Sequence, residues 1–581
     1  MIFKPVVTLS SSLLLMGMMS APAEAATGKQ TPNRPNVLVI MADDLGWSDI
    51  GPFGGEIHTP NLDMLAAQGI RFSNFQVSPY SAPSRAMFLT GADPHESGVG
   101  NLTELNTKEQ MGQEAYMGKF NNRTLTLPQR LQQAGYETIM SGKWHLGKDD
   151  DHTPDKWGFD HSFAMLNGEA NHFKQVDKEA SPDGKDAYRL NGKPVDIPDD
   201  FYSSDNFADF MIQKIEQTTK DKPFFGYLAF TAPHSPLQAY PQDIAKYAEF
   251  YHEGPQALAD KRLARTKQLG LVGKDVKPHQ LLGVPKWSSL SFEERLAQTR
   301  RMQIYAAMID RMDYNIGRVI QTLRAKNQLD NTVIVFLSDN GAAGASREGS
   351  GKWGAWISKN RYGSLENMGK ANSYVSTGPS WAQASMSPFA LFKGFTTEGG
   401  IRSPLIMTGP GIAKNKIDGG YTNLKDLTPT LLNLTRTSTQ TPADKIAIEG
   451  QSIVKQLKQP NARITGAKNV DVLEMRGGRQ VRMGDYKALF ISNQPMGIKV
   501  DIFKVDILKP QEWQLFNIVK DPGETNNLAD KEPAILQKMI DAYDEYAKRV
   551  RVIDIAPVKT VAKAMPKAAP TAQPTQPSVA P

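Results

Sequence analysis

Cysteine is missing from all 581 residues of this chain, which removes two ways of holding a protein together. Without thiols the chain forms no disulfide bonds, and it offers no thiolate ligands to zinc. A hydrophobic core must therefore supply the stability. The hydrophobic fraction of 40% and the charged fraction of 22% are those of an ordinary globular protein and exclude disorder along the whole chain.

Long apolar segments are also scarce, and the one near the amino terminus is too short to cross a membrane. Residues 9–19 form an apolar run after Lys4, and residues 23–25 complete an A-x-A pattern. This arrangement predicts a signal peptide over residues 1–25, whereas the alternative, a membrane anchor, needs ~20 apolar residues. A signal peptide implies the export machinery as a partner and a periplasmic location, with secretion beyond the cell as the alternative.

The basic balance of the chain does not indicate a nucleic-acid partner. The formal net charge is +6 and the pI is near 9.0, but lysine and arginine are spread along the chain and form no stripe with aromatic residues. We expect a solvated surface that mildly attracts anionic substrates. Residues 557–581 contain almost no large apolar side chains and are predicted to be a disordered tail.

Short apolar runs that end at polar residues alternate with helical patterns over most of the chain. This alternation predicts an α/β fold with a large, mostly parallel sheet between helices, in which ligands bind beyond the carboxyl ends of the strands. The predicted strands are residues 36–42, 136–140, 224–231 and 332–337, and the predicted helices are residues 60–68, 126–133, 206–218 and 293–325.

The organisation predicted from these patterns is one large catalytic domain and one small domain. The α/β domain spans residues 34–440, with residues 240–292 as an insertion or cap and the irregular stretch 341–392 as a wall of the substrate pocket. Residues 445–552 are predicted to form an antiparallel sheet with one helix. Its strands are residues 471–475, 480–483, 487–491 and 513–517, and its helix is residues 533–549.

Two pairs of oxygen-bearing side chains directly follow predicted strands. Asp43 and Asp44 come after the first strand, and Asp339 and Asn340 after a later one. Either pair alone is more typical of an ordinary turn. Because the two pairs follow equivalent strand ends, we interpret them together as a site for a hard divalent cation, Ca²⁺ or Mg²⁺.

Ser81 begins a segment, Ser-Ala-Pro-Ser-Arg, that continues as a predicted helix until Gly91. A serine at a helix amino terminus is commonly just a cap, with Arg85 as a surface cation. The same position also favours a developing anion, and Ser81 lies in the chain between the two acidic pairs. A single lysine such as Lys143 is typically a solvated cation, and a single histidine is typically a packing residue. These residues indicate a functional site only when they are considered together.

The order of the motifs resembles that of the sulfatase family, in the alkaline phosphatase-like superfamily. The likeness extends over roughly residues 34–550 and is greatest to bacterial arylsulfatases of the serine type. The motifs are MADDLGW from Met41, SAPSR from Ser81 running into LTG, SGKWHLG from Ser141, GFD from Gly158, APH from Ala232, LSDNG from Leu337 and EGGIRSP from Glu398.

The resemblance implies a set of site residues and a modified nucleophile. One divalent cation, Ca²⁺ rather than Mg²⁺, would be held by Asp43, Asp44, Asp339, Asn340 and the modified Ser81. Ser81 would be oxidised to 3-oxoalanine (formylglycine) before folding, by a radical-based maturation enzyme of the serine type. The residues expected around the sulfate are Arg85, Lys143, His145, His234 and Lys393.

The activity implied is hydrolysis of sulfate monoesters, most simply of aryl sulfates. A serine sulfate would be a stable dead end, whereas a hydrated aldehyde expels sulfate by re-forming its carbonyl. Two alternatives stay open: a phosphate or phosphonate ester hydrolase on the same scaffold, or an inactive binder of sulfated ligands in which Ser81 is unmodified. The other seven histidines are given no role: His58, His95, His152, His161, His172, His252 and His279.

Overall fold

The structure is a computed structural model that describes residue 1 and residues 34–174, 187–348, 351–461, 470–492 and 511–555. The predicted tail and all but the first residue of the predicted signal peptide lie outside these ranges. From Arg34 onward the described chain forms one compact unit. No helix in these ranges combines the length and the apolar character that a membrane crossing requires.

Strands of the described residues form three sheets of ten, two and four strands. Their bounds are β1 Asn36–Ala42, β2 Gly69–Phe72, β3 Phe75–Gln76, β4 Glu137–Lys143, β5 His161–Met165, β6 Tyr188–Leu190, β7 Lys193–Pro194, β8 Phe224–Ala229, β9 Thr332–Ser338, β10 Leu405–Thr408, β11 Lys416–Asp418, β12 Thr422–Asn423, β13 Val470–Met475, β14 Gly478–Met483, β15 Tyr486–Phe490 and β16 Trp513–Asn517.

The α-helices of the described residues lie mainly in the connections between these strands. Their bounds are α1 Pro60–Ala67, α2 Ser81–Thr90, α3 Leu127–Gln133, α4 Ser203–Gln217, α5 Pro241–Ala245, α6 Pro255–Gln268, α7 Phe292–Ala325, α8 Gly351–Asn360, α9 Pro379–Ser385, α10 Glu398–Ile401, α11 Leu427–Leu434, α12 Val454–Lys458 and α13 Pro533–Val550. The predicted helices agree with α1, α3, α4 and α7 to within a few residues.

The large sheet has the order β11-β2-β10-β9-β1-β8-β4-β5-β6-β7. Its centre is parallel, because β1 pairs in parallel with both β8 and β9, and β4 with β8 and β5. Met41 lies opposite both Leu337 and Ala229, and Gly142 also lies opposite Ala229. The carboxyl ends of β9, β1, β8 and β4 therefore meet at one edge of the sheet.

Side chains of β1 alternate between two hydrophobic cores, one on each face of the sheet. Leu38 and Ile40 pack in the core that contains Met308 of α7, whereas Val37 and Val39 pack in the other. All seven residues of β1 are buried, as expected for a strand covered by helices on both faces. The predicted fold class, a mostly parallel sheet between helices, is confirmed.

The four-stranded antiparallel sheet runs β13-β14-β15-β16, as predicted, and α13 packs on it. The predicted cap region contains α5 and α6, and Arg262 of α6 is fully buried in ion pairs with Asp49 and Glu56. The stretch 341–392, predicted to be irregular, also contains α8 and α9. Apolar residues at helical spacing, such as Trp353, Trp356 and Ile357, explain α8.

Candidate active site

Polar side chains converge where β9, β1, β8 and β4 end side by side. Asp339 and Asn340 follow β9, and Asp43 and Asp44 follow β1. Lys143 ends β4, and the connections after β4 and β8 carry His145 and His234. Lys393 lies in the connection between α9 and α10 and ion-pairs with Asp44. The topology thus brings these residues together from positions up to 350 residues apart along the chain.

Ser81 is the first residue of α2, a helix whose ten residues are all buried. Its hydroxyl donates to Asp339 Oδ2 at 2.5 Å and accepts from Arg85 Nε at 3.0 Å. Ser81 and Arg85 share one face of the helix because they are four residues apart. The helix amino terminus and the guanidinium together favour negative charge at the Ser81 oxygen.

The oxygen cluster, which comprises Asp43, Asp44, Asp339 and Asn340, is almost completely buried. Asn340 Nδ2 donates to Asp44 Oδ1 at 2.7 Å, and the Asp44 amide donates to Asp339 Oδ1 at 3.3 Å. Three buried oxygens have no hydrogen-bond partner among the described residues: Asp43 Oδ1, Asp44 Oδ2 and Asn340 Oδ1. Unpartnered buried oxygens are costly, and carboxylate and amide oxygens are the ligands that Ca²⁺ and Mg²⁺ prefer. The cluster therefore fits a divalent cation.

Three cations pair with the three carboxylates of the oxygen cluster. Arg85 Nη2 lies 2.8 Å from Asp339, Lys143 Nζ lies 2.7 Å from Asp43, and Lys393 Nζ lies 2.6 Å from Asp44. Burial opposes ionisation of Asp339, but Arg85, Lys143 and Lys393 outweigh it and hold its pKa well below the usual range. For Asp43, burial dominates and raises the pKa to about 8.

His234 is oriented by a hydrogen bond to the backbone. Its Nδ1 lies 2.6 Å from the carbonyl oxygen of Ser235, which only accepts, so Nδ1 carries the proton of that bond. Nε2 then faces Asp44 Oδ2 at 3.4 Å and is the nitrogen available for proton transfer. Burial lowers the pKa of His234 to about 4, although Asp44 opposes that shift.

His145 adopts a left-handed backbone conformation, with φ of 59°. Burial lowers its pKa well below the ordinary value, and Lys143 and Arg85 add to the shift. A Cβ atom on Gly168 would lie only 2.6 Å from His145 Nε2, so the chain at Gly168 passes directly against this ring. The imidazole is thus held neutral, as a proton acceptor must be.

A pocket opens from Asp44, His234 and Lys393 toward the surface. Its outer lining comes mainly from the stretch 341–392, which the sequence predicts as a pocket wall. The lining residues beyond the three just named are Ser235, Ala343, Gly344, Ala345, Arg347 and Ser376. Lys393 is more deeply buried than Arg347. An anionic group would therefore bind beside Lys393, and the rest of a substrate would lie along the small residues Ala343–Ala345.

Sequence reasoning missed several residues that support the site. The hydroxyl of Tyr227 accepts from Arg85 at 3.4 Å, and that of Tyr305 donates to the Asp44 carbonyl at 3.1 Å. His172, which was given no role, lies 2.9 Å from the carbonyl oxygen of His234 through its Nε2. Of these three residues, only His172 could have been singled out from the sequence, because histidine is a common functional residue. Tyr227 and Tyr305 lie on a strand and a helix, where tyrosines are usually core residues.

His95, also given no role, is buried away from the pocket lining and lies between Asp93 and Glu474 at 3.0 Å from each.

Comparisons with known proteins agree with this geometry. The sulfatase family model matches residues 35–437. An uncharacterized sulfatase of Schizosaccharomyces pombe is 40% identical over 552 residues, which covers 91% of this chain and 96% of the relative. An arylsulfatase of Klebsiella aerogenes is 41% identical over 405 residues, covering 68% of this chain and 86% of the relative.

A solved structure shares the architecture as well. The crystal structure of Ps i-CgsB superimposes with a TM-score of 0.60 at 25% identity, over 88% of this chain and 93% of that one. The family model spans most of the chain, and its range includes the oxygen cluster, Ser81 and the three cations. The resemblance seen in the sequence is confirmed: the chain belongs to the sulfatase family, whose members hydrolyse sulfate esters.

Proposed function

We propose that this protein is an arylsulfatase that uses 3-oxoalanine, made from Ser81, and one divalent cation, Ca²⁺ rather than Mg²⁺. The observation that carries the proposal is the position of the Ser81 oxygen. It lies 2.5 Å from Asp339 and 3.0 Å from Arg85, at a helix amino terminus beside the oxygen cluster. An aryl substrate is supported by the Klebsiella relative, which is an arylsulfatase.

Oxidation of Ser81 is needed for turnover. Attack by an unmodified serine hydroxyl would leave a serine sulfate, which has no second hydroxyl on the same carbon to expel sulfate. The hydrated aldehyde instead carries two hydroxyls on one carbon, so the second can drive release of sulfate. The buried position of Ser81, at 2% exposure, requires that the maturation enzyme act before the chain folds.

The oxygen cluster would hold the cation through Asp43, Asp44, Asp339 and Asn340. When bound, the cation supplies positive charge that favours ionisation of the neighbouring hydroxyl and offsets charge on the sulfate. The three unpartnered oxygens of the cluster support this assignment.

The surrounding side chains divide the proton transfers between them. Asp339 accepts the proton of the attacking hydroxyl, whose oxygen bonds to sulfur while the bond from sulfur to the leaving oxygen breaks. The leaving oxygen takes its proton from Nε2 of His234 in the imidazolium form, in which Nδ1 and Nε2 each carry a proton and the Asp44 carboxylate offsets the positive charge. Lys393 lies beside that oxygen, and Arg85 and Lys143 hold the sulfate oxygens. His145 then removes the proton of the second hydroxyl. The carbonyl re-forms, the carbon–oxygen bond to sulfate breaks, and water rehydrates the aldehyde.

We also propose a cellular location and partners for the protein. Its substrate is a small sulfate ester, and its partners are the export machinery and a serine-type maturation enzyme, with a periplasmic final location. The amino-terminal pattern Lys4, 9–19 and 23–25 supports export.

Mass spectrometry of the Ser81 peptide, combined with turnover of 4-nitrophenyl sulfate, tests the proposal. Conversion of serine to 3-oxoalanine lowers the peptide mass by about two hydrogens, and the converted fraction should scale with activity. Ser81→Ala should abolish sulfate release. Ser84→Ala is the matched control, because Ser84 lies in the same buried helix but bonds Ser78 instead of Asp339.

Intact serine together with tight binding of sulfated ligands and no turnover would contradict the proposal and favour the binder. Higher catalytic efficiency on 4-nitrophenyl phosphate than on the sulfate would favour the phosphoesterase.

A further inference from the structure

A group of fully buried charges lies outside the site and joins the antiparallel sheet to the catalytic part of the chain. Lys487 of β15 places Nζ 2.9 Å from Glu398 Oε1 and 2.8 Å from Glu524 Oε1, and all three side chains have 0% exposure. Glu398, the first residue of α10, also ion-pairs with Arg402. We call Lys487, Glu398 and Glu524 the Lys487 cluster.

Burying these charges carries a large desolvation free energy if their only role is to hold the sheet in place. Removing water from a carboxylate or an ammonium costs several kcal/mol, and well-packed apolar side chains commonly stabilise a fold equally well. A buried ion pair does, however, fix the relative position of its partners, because their hydrogen bonds are satisfied in one geometry only. The position of Glu398 shows which part of the backbone the Lys487 cluster holds in place.

Glu398 lies in a tight segment, residues 390–400, that also contains Lys393. Thr397 Oγ1 donates to the Ala390 carbonyl at 2.7 Å, and the Gly399 amide donates to the same oxygen at 2.9 Å. A Cβ atom on Gly399 would lie 2.2 Å from that oxygen, so the backbone at Gly399 packs directly against the Ala390 carbonyl. A shift of Glu398 is thus transmitted to the backbone around Lys393.

The same segment supports the oxygen cluster. The Lys393 amide donates to the Ala342 carbonyl at 3.0 Å, and the Gly341 amide donates to the Gly400 carbonyl at 3.1 Å. Gly341 directly follows Asn340. Residues 390–400 therefore contact Lys487 and Glu524 through Glu398, and they contact the residues that follow Asp339 and Asn340 through Lys393 and Gly400.

We propose that Lys487 is a positioning residue for catalysis: through Glu398 it holds Lys393 against the leaving-group end of the site. The inference rests on the proposed function, in which Lys393 lies beside the departing oxygen. The antiparallel sheet would then support catalysis, although β15 contributes no residue to the described pocket lining.

The dependence of kcat/KM on the pKa of the leaving group distinguishes positioning from a purely structural role of Lys487, because a structural role would not change that dependence. A phenol of low pKa departs with little help, whereas a phenol of high pKa depends on the groups that stabilise its oxygen. Loss of Lys487 should therefore reduce kcat/KM for phenyl sulfate about 10-fold more than for 4-nitrophenyl sulfate, the range expected for one hydrogen bond to a charged group.

Two variants separate positioning from folding. Lys487→Met leaves two buried carboxylates facing each other and is expected to destabilise the fold. The charge-balanced double variant Lys487→Met with Glu524→Gln removes one of those charges, while the glutamine oxygen can still accept from the Glu398 amide. Glu474→Gln is the matched control, because it removes a buried carboxylate from β13 of the same sheet that pairs with His95.

The assay is kcat/KM across a series of substituted phenyl sulfates, with thermal unfolding and the 3-oxoalanine content measured for every variant. A steeper dependence on leaving-group pKa in the double variant, with wild-type dependence in Glu474→Gln, supports the inference. Equal slopes in wild type and the double variant, or the same change in Glu474→Gln, overturn it. A wild-type protein that releases no sulfate from the series refutes the proposed function, and the inference with it.

Discussion

His95 leads to a prediction about how stability depends on pH. Its Nδ1 lies 3.0 Å from Asp93 Oδ1, and its Nε2 lies 3.0 Å from Glu474 Oε2. Carboxylates only accept, so an imidazole that donates to both must carry both protons and a positive charge. Burial alone would lower the pKa of His95, but the hydrogen bonds and charges of Asp93 and Glu474 raise it to about 9.

The other groups facing His95 stay in one state near neutral pH. The rings of Tyr116 and Tyr546 stand edge-on to the imidazole, and Tyr546 donates to Asp93. Burial raises the pKa of both phenols, so they remain neutral, while His95 keeps the pKa of Asp93 at about 2. Between pH 6.5 and 9.5 the charge change at this contact therefore comes from His95.

The difference between a folded pKa of about 9 and an unfolded pKa of 6.5 corresponds to about 3 kcal/mol of stability. Because the folded value is the higher one, this stabilisation is complete below pH 6.5 and is lost as the pH rises through 9. The free energy of unfolding of wild type relative to His95→Gln should fall by about that amount between pH 6.5 and 9.5.

Urea unfolding followed by tryptophan fluorescence at a series of pH values measures this difference. His279→Gln is the matched control, because His279 is also buried but its pKa is lowered by burial, so it stays neutral over the whole interval. Its stability difference from wild type should be flat. A difference for His95→Gln that stays constant within about 0.5 kcal/mol would refute the reasoning, since an imidazolium between two carboxylates must respond to pH.

Further predictions concern the site itself. Gly168→Ala places a methyl group against His145 Nε2 and should lower kcat about 10- to 100-fold. Gly363→Ala should be neutral, because no atom of the described residues lies within 4 Å of the added Cβ. Equal steady-state rates for the two variants would contradict the close approach. Removal of divalent cations with a chelator should abolish activity and lower the melting temperature, because binding to the folded state alone stabilises it. Metal analysis should find one ion per chain, and Ca²⁺ should restore both properties better than Mg²⁺; full activity in the metal-free protein would exclude the proposed cation.

The central strands of the large sheet could be read from the sequence because they are parallel and buried on both faces. β1, β8 and β9 are near-continuous apolar runs, and such runs are recognisable without any partner. Strands β3 and β12 have only two residues each and show no sequence period at all. They exist because tertiary packing places them side by side.

The sequence alone identified the motifs, Ser81 and the pairs of oxygen-bearing residues at the ends of strands. It could do so because strand ends and helix starts are local properties of the chain. Which charges face each other, such as Lys143 with Asp43 and Lys393 with Asp44, follows from the fold. Distances between residues hundreds of positions apart depend on sheet order, on helix packing and on the second sheet. Lys487 and Glu398 are 89 residues apart, and no local pattern in the sequence indicates their contact.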